Sequence, residues 1–134
     1  MKNSILIVDP DTNYRKYLLE YFTRRDFSVS AVNSEKNGML LLNMEKFDVA
    51  IIDFCFRKKP SEAICAAIRD RFSATTLILT CSHQTPDAEN KARRFSPAFY
   101  FVKPLIIEDL YAVVLRAIEV RLRKQQQVFH EMQG

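Results

Sequence analysis

Apolar residues along this chain gather into short continuous runs, separated by longer stretches in which they recur every three or four positions. The continuous runs are Ile5 to Val8, Val49 to Ile52, Leu77 to Leu79 and Phe99 to Val102. Each is bounded by polar residues and is too short for a buried helix. Such runs predict strands covered on both faces, as in a parallel sheet. Phe27 to Val32 alternates instead, which predicts a half-covered strand nearer an edge.

The stretches between them predict amphipathic helices. Tyr14, Tyr17, Leu18, Tyr21 and Phe22 share one face by their three- and four-residue spacing. Ser34 is placed to cap a helix carrying Met39, Leu40 and Leu42 to Met44. A third helix runs from about Glu62 to Arg71, opened by Pro60 and Ser61. A fourth, from about Asp87 to Phe95, is largely polar, and the last begins near Ile107 and continues almost to the C-terminus. The order is βα repeated five times. Right-handed crossovers turn that order into a parallel sheet with helices on both faces. The expected fold class is therefore α/β, a doubly wound five-stranded parallel sheet with the last of its five helices extended; five such units commonly adopt the flavodoxin-like order 2-1-3-4-5, which is the order expected here. In such sheets ligands bind beyond the carboxyl ends of the strands, where the first and third meet.

Composition narrows the function. A length of 134 residues fits one domain, and 48% hydrophobic residues can fill its core. No apolar run reaches the ~20 residues that span a bilayer, and the N-terminus lacks the pattern of a signal peptide. A cytoplasmic protein with no membrane partner is expected. Cys55, Cys65 and Cys81 have no metal-ligand spacing and are expected to be buried thiols. The formal charge of +4 is spread over Arg24-Arg25, Arg57 to Lys59, Arg93-Arg94 and Arg121 to Lys124. No aromatic interleaving accompanies it, so direct nucleic-acid binding is not expected.

The residues with chemistry fall where the fold predicts a site. Strand one ends in Asp9, followed by Pro10 and Asp11; strand three ends in Asp53, strand four in Thr80, and strand five in Lys103-Pro104. Taken singly, each reads equally well as a cap or an ordinary strand terminus. Together, at one end of one sheet, they form a coherent set. A carboxylate can attack phosphorus and form an acyl phosphate. The charge this gathers calls for a lysine and a divalent cation. Asp9 and Asp11 are placed to serve a metal, Asp53 the attack, Lys103 the charge and Thr80 a donated hydroxyl.

These motifs resemble the receiver domains of two-component response regulators across about residues 3–122. Ile5-Leu6-Ile7-Val8-Asp9 resembles the first receiver strand, with Arg15 at the familiar distance. Phe47 to Asp53 resembles the strand leading to the phosphoacceptor, and Leu77-Ile78-Leu79-Thr80 the strand ending in the switch hydroxyl. Tyr100-Phe101-Val102-Lys103-Pro104 resembles the closing motif, in which the Lys-Pro bond is typically cis. The resemblance implies Asp53 as phosphoacceptor, assisted by Lys103 and Thr80, with Thr80 and Tyr100 as switch residues. It implies Mg2+ held by Asp9, Asp53 and the backbone carbonyl of Cys55, with Asp11 as an uncertain further ligand. It also implies signalling without enzymatic turnover, beyond self-phosphorylation from small donors and autodephosphorylation. Cys55 and Ser82 stand where the family tunes phosphoryl lifetime. The partners implied are a histidine kinase or phosphotransfer protein, and an output domain or partner protein on the face of helix four, strand five and helix five.

Three departures qualify this reading. Pro10 stands where the family carries a second acidic residue that ligates Mg2+, so metal binding is expected to be weakened. In the loop after Asp53 the usual Pro and Gly are replaced by Phe54 to Pro60, where Arg57, Lys58 or Lys59 could stand in for a missing cation, although solvated charges are the simpler reading. Cys81 follows Thr80 where the family prefers a small residue. An alternative function is therefore a degenerate receiver that binds partners without phosphorylation. The string Ile5 to Asp11 also resembles the Asp-x-Asp nucleophile motif of haloacid-dehalogenase-type phosphatases. Asn13 and the absence of a strand-terminal acidic pair after Lys103 argue against that reading, and it leaves Asp53 unexplained.

The final helix places Leu115, Ile118, Leu122, Gln125, Phe129 and Met132 on a heptad seam. Residues 1–122 are expected to form the receiver and 123–134 an extended helix or linker toward an output domain beyond Gly134. The seam also allows a homodimer.

Overall fold

The computed structural model of the chain describes residues 2–56 and 59–134. Its elements follow in the order β1 (Ser4–Val8), α1 (Thr12–Thr23), β2 (Ser28–Val32), α2 (Glu35–Met44), β3 (Val49–Phe56) and β4 (Lys59–Pro60). After them come α3 (Glu62–Arg71), β5 (Thr76–Cys81), α4 (Pro86–Arg93), β6 (Phe99–Val102) and α5 (Ile107–Gln133). The sheet order is β2-β1-β3-β5-β6, with every neighbouring pair parallel, and the two-residue β4 pairs antiparallel with β3. Counting the parallel strands alone, this is the 2-1-3-4-5 order read from the sequence.

Side chains alternate across the sheet and feed two cores. On one face Leu6, Val8, Ala50, Ile52, Phe54 and Leu79 pack with Leu42 of α2, Ile64 and Ile68 of α3, and Ala88 and Ala92 of α4. On the other, Ile5, Ile7, Val49, Ile51 and Ile78 meet Leu18 and Phe22 of α1 and Leu110, Val114 and Ile118 of α5. On α1 the apolar stripe is narrower than its spacing suggests: Leu18 and Phe22 are buried, whereas Tyr17 faces solvent. All three cysteines are buried, and none is joined in a disulfide.

The structure corrects several boundaries: β5 runs past Thr80 to Cys81, and α4 spans Pro86–Arg93 rather than Asp87 to Phe95. β3 does not end at Asp53 but continues to Phe56. Its register against β5 shifts between Asp53 and Cys55, and the chain then returns so that Cys55 faces Pro60 and Phe56 faces Lys59. Phe54-Cys55-Phe56 is strand-favouring and holds no turn residue, so the ladder carries on. In consequence Pro60 lies in β4 rather than opening α3. Ser61 precedes α3 without a side-chain cap. Its hydroxyl donates to the Asp53 carbonyl at 3.3 Å instead, and Glu35 Oε2 accepts the Ile64 N–H of α3's first turn at 3.0 Å.

Gly38 lets α2 lie close on this core. A Cβ there would come within 2.7 Å of Ile64 Cδ1 and 2.8 Å of Val8 Cγ2. Gly38→Ala gains helix propensity but overpacks the contact, and the second effect is larger. A net loss of about 1 kcal/mol is expected in urea denaturation; a stabilised variant would show that the contact relaxes freely.

α5 is buried at Ile107, Leu110, Val114, Ala117 and Ile118. Beyond Arg121, which reaches Asp48 at 3.9 Å, every residue is exposed. On the seam, Ile118 therefore faces the domain's own core, while Leu115, Leu122, Phe129 and Met132 face solvent.

Candidate functional site

The chain brings Asp9, Asp53, Thr80 and Lys103 together at the carboxyl ends of four strands. Asp9 and Asp53 are each 2% exposed and Thr80 1%. Lys103 Nζ lies 2.7 Å from Asp9 Oδ2 and 3.2 Å from Asp53 Oδ2, bridging the two carboxylates. The Lys103-Pro104 bond is cis, as the family pattern implies. The Lys103 ammonium also sits 4.0 Å from the centre of the Tyr14 ring, a cation–π contact.

Burial pushes the Asp9 carboxyl above its ordinary range, and Lys103 opposes that shift by hydrogen bond and charge. Arg15 steadies the turn by donating to the Asp9 carbonyl at 2.7 Å. Asp53 Oδ2 also accepts the Ser82 hydroxyl at 2.6 Å. Among the described residues, Asp53 Oδ1, Thr80 Oγ1 and the Tyr14 hydroxyl are buried oxygens without a hydrogen-bond partner. Asp53 and Thr80 are register partners on adjacent strands, so two of these oxygens belong to neighbouring residues of one pocket.

The other sequence candidates fall elsewhere. Asp11 caps α1: its Oδ1 accepts the Tyr14 N–H at 3.1 Å, and its own N–H donates to Asp9 Oδ1 at 2.9 Å. The Cys55 carbonyl accepts the His83 N–H at 3.3 Å, and the Cys81 thiol lies 4.0 Å from that same oxygen. Tyr100 is half-buried, and its hydroxyl donates to Gln84 Oε1. Lys59 is exposed in β4; Arg57 and Lys58 lie outside the described residues.

Two pocket contacts escaped the sequence reading. Ser82 carried a signal, its position two residues past the strand-terminal Thr80, but nothing in the sequence says that its hydroxyl reaches Asp53. Tyr14 was assigned to the core stripe, and its contact with Lys103 depends on how α1 enters over the pocket.

Receiver domains typically bind Mg2+ in this acidic pocket, and Mg2+ needs oxygen ligands. The residues present do not supply them as arranged. Both Asp9 oxygens are engaged, by the Asp11 N–H and by Lys103, and Asp53 Oδ2 is held by Ser82 and Lys103. That leaves Asp53 Oδ1 as the carboxylate oxygen of this pair without a partner. Among the described residues, no group of three His, Cys, Asp or Glu side chains is placed to hold a metal.

With this geometry in hand, comparison with known proteins defines the class. The family model for the response regulator receiver domain matches residues 5–115. The chain belongs to that family and is a receiver domain of the two-component response-regulator type. It is similar to the regulatory protein AtoC of Escherichia coli (24% identical, covering 92% of this chain and 27% of that protein). It is likewise similar to the response regulator ArlR of Staphylococcus epidermidis (28% identical, covering 91% and 53%). The chain thus spans about a quarter to a half of the length of these relatives. Among solved structures it resembles a CheY-like receiver domain from Methanospirillum hungatei, with a TM-score of 0.83 at 17% identity over 92% of this chain and 99% of that one. It also resembles the BeF3-activated DrrB receiver domain, with a TM-score of 0.77 at 25% identity over 89% and 99%. No helix among the described residues is long and apolar enough to cross a membrane.

Proposed function

We propose that this domain accepts a phosphoryl group on Asp53 from a histidine kinase or phosphotransfer protein and so switches an output domain or partner. The observation that carries the reading is the buried carboxylate pair bridged by Lys103, with Asp53 Oδ1 and, on the next strand, Thr80 Oγ1 unpartnered among the described residues. Asp53 Oδ1 forms the bond to phosphorus as the donor's P–N bond breaks, and the departing imidazole takes a proton from solvent. Lys103 offsets the charge that gathers on the phosphoryl oxygens, and Thr80 donates its hydroxyl to one of them. Thr80 moving inward frees Tyr100 to leave Gln84, which biases the surface formed by α4, β6 and α5. Residues 123–134 then act as the helix that leads toward an output domain or a second copy, in the cytoplasm.

Intact mass after incubation with Mg2+ and acetyl phosphate tests the reading. Wild type is expected to gain one phosphoryl group and Asp53→Asn none, with a known receiver labelled in parallel. A folded wild-type protein that gains nothing from acetyl phosphate or from a cognate kinase would overturn it. The shortage of free oxygen ligands favours a second reading, in which the domain is a receiver that binds partners without phosphorylation. That result would support it.

A further inference from the structure

The pocket's charge balance follows from one residue. Pro10 has no side-chain ligand, and its ring restricts the backbone of Asp9 toward extended conformations. The chain leaves β1 through Asp9 and Pro10 and enters α1 at Asp11, whose backbone is extended at φ −74°, ψ 110°. An aspartate at that position finds an unsatisfied helix N–H and the positive end of the helix dipole, and capping of this kind is worth about 1 kcal/mol. The Asp11 carboxylate takes that role, and its backbone N–H occupies Asp9 Oδ1 in addition. The carboxylate nearest in sequence to the missing ligand is thereby turned to the helix, away from metal duty.

The ammonium takes the place between the two carboxylates. Lys103 Nζ contacts both buried carboxylates and the face of Tyr14, and its side chain is only 10% exposed. Among the described residues, this pair of carboxylates and the one ammonium bridging them carry a single net negative charge. A dication entering this pocket would have to share oxygens with that ammonium, where a second acidic residue after Asp9 would have given it oxygens of its own.

We infer that Pro10 makes this a lysine-balanced pocket with weak affinity for divalent cations, and that Asp11 does not replace the lost ligand. The inference rests on reading the pocket as a receiver site. It is tested on the unphosphorylated chain, so its outcome is separate from that of the phosphoryl-transfer assay.

Isothermal calorimetry with MgCl2 at pH 7, on the full chain, compares wild type with Pro10→Asp, Pro10→Asn and Asp11→Asn. Pro10→Asn removes the ring without adding charge, and Asp11→Asn keeps a good cap. Pro10→Asp is expected to bind Mg2+ roughly tenfold or more tightly than Pro10→Asn, and Asp11→Asn to match wild type. Circular dichroism confirms that each variant is folded. Equal affinities of Pro10→Asp and Pro10→Asn would overturn the role of Pro10. A wild-type site that loses roughly tenfold in affinity on Asp11→Asn would overturn the inference whatever the fate of the Pro10 variants.

Discussion

Replacing Lys103 with methionine should destabilise the domain by about 3 kcal/mol at pH 7, a large share of the ~5–15 kcal/mol that holds such a fold together. Methionine keeps much of the side-chain volume, so the loss is electrostatic in origin. It leaves Asp9 and Asp53 buried together without the ammonium that lies 2.7 Å and 3.2 Å from them. Breaking a buried pair from one side costs more than the pair contributes, because the remaining charge keeps its desolvation penalty.

The pH dependence identifies the cause. In the folded state burial holds the Asp9 carboxyl above its reference value of 3.8, while Lys103 pulls it down. A raised carboxyl contributes stability that is fully present below the unfolded value and is lost as pH rises through the folded value. Without Lys103 the folded value climbs further, so more stability is lost at neutral pH. The difference between wild type and Lys103→Met should therefore be small near pH 4 and grow as pH rises toward 7. Urea denaturation at both pH values measures it. A deficit of equal size at both would place the role of Lys103 in its packing on Tyr14 rather than in its charge.

The same pocket shows how far the sequence could be read. Strand and helix identities were legible because continuous apolar runs and three-four spacing report burial directly, and burial is what the doubly wound sheet imposes. Asp9, Asp53, Thr80 and Lys103 were legible because four strand ends at one edge of a parallel sheet must converge. Asp11 was not. Asp-x-Asp reads equally well as two ligands or as a ligand followed by a helix cap, and only the backbone at Pro10 decides. Ser82 lies in a loop, where side-chain direction has no periodicity to betray it. The extension of β3 to Phe56 was not legible either: the apolar run is interrupted by Asp53, and the strand continues past it only through a register shift and pairing with β4.

That extension leads to the other large expected effect. Phe54 follows Asp53 directly, is fully buried, and packs its ring 6.0 Å from that of Phe95 beyond the end of α4. It belongs to the core shared by β3, α3 and α4, and its carbonyl accepts the Ser61 N–H as the chain turns into α3. Truncation leaves a void between elements that cannot all close in at once. Phe54→Ala should therefore cost about 3–5 kcal/mol in urea denaturation. Phe99, 48% exposed on the edge strand β6, provides the contrast, and Phe99→Ala should cost less than about 1 kcal/mol. Because Phe54 anchors the backbone that carries Asp53, the proposed phosphoacceptor role adds that the variant takes up a phosphoryl group more slowly than its folded fraction accounts for. If Phe54→Ala cost no more than Phe99→Ala, the end of β3 would not be fixed by the core, and Asp53 would owe its position to its polar contacts and its pairing with β5.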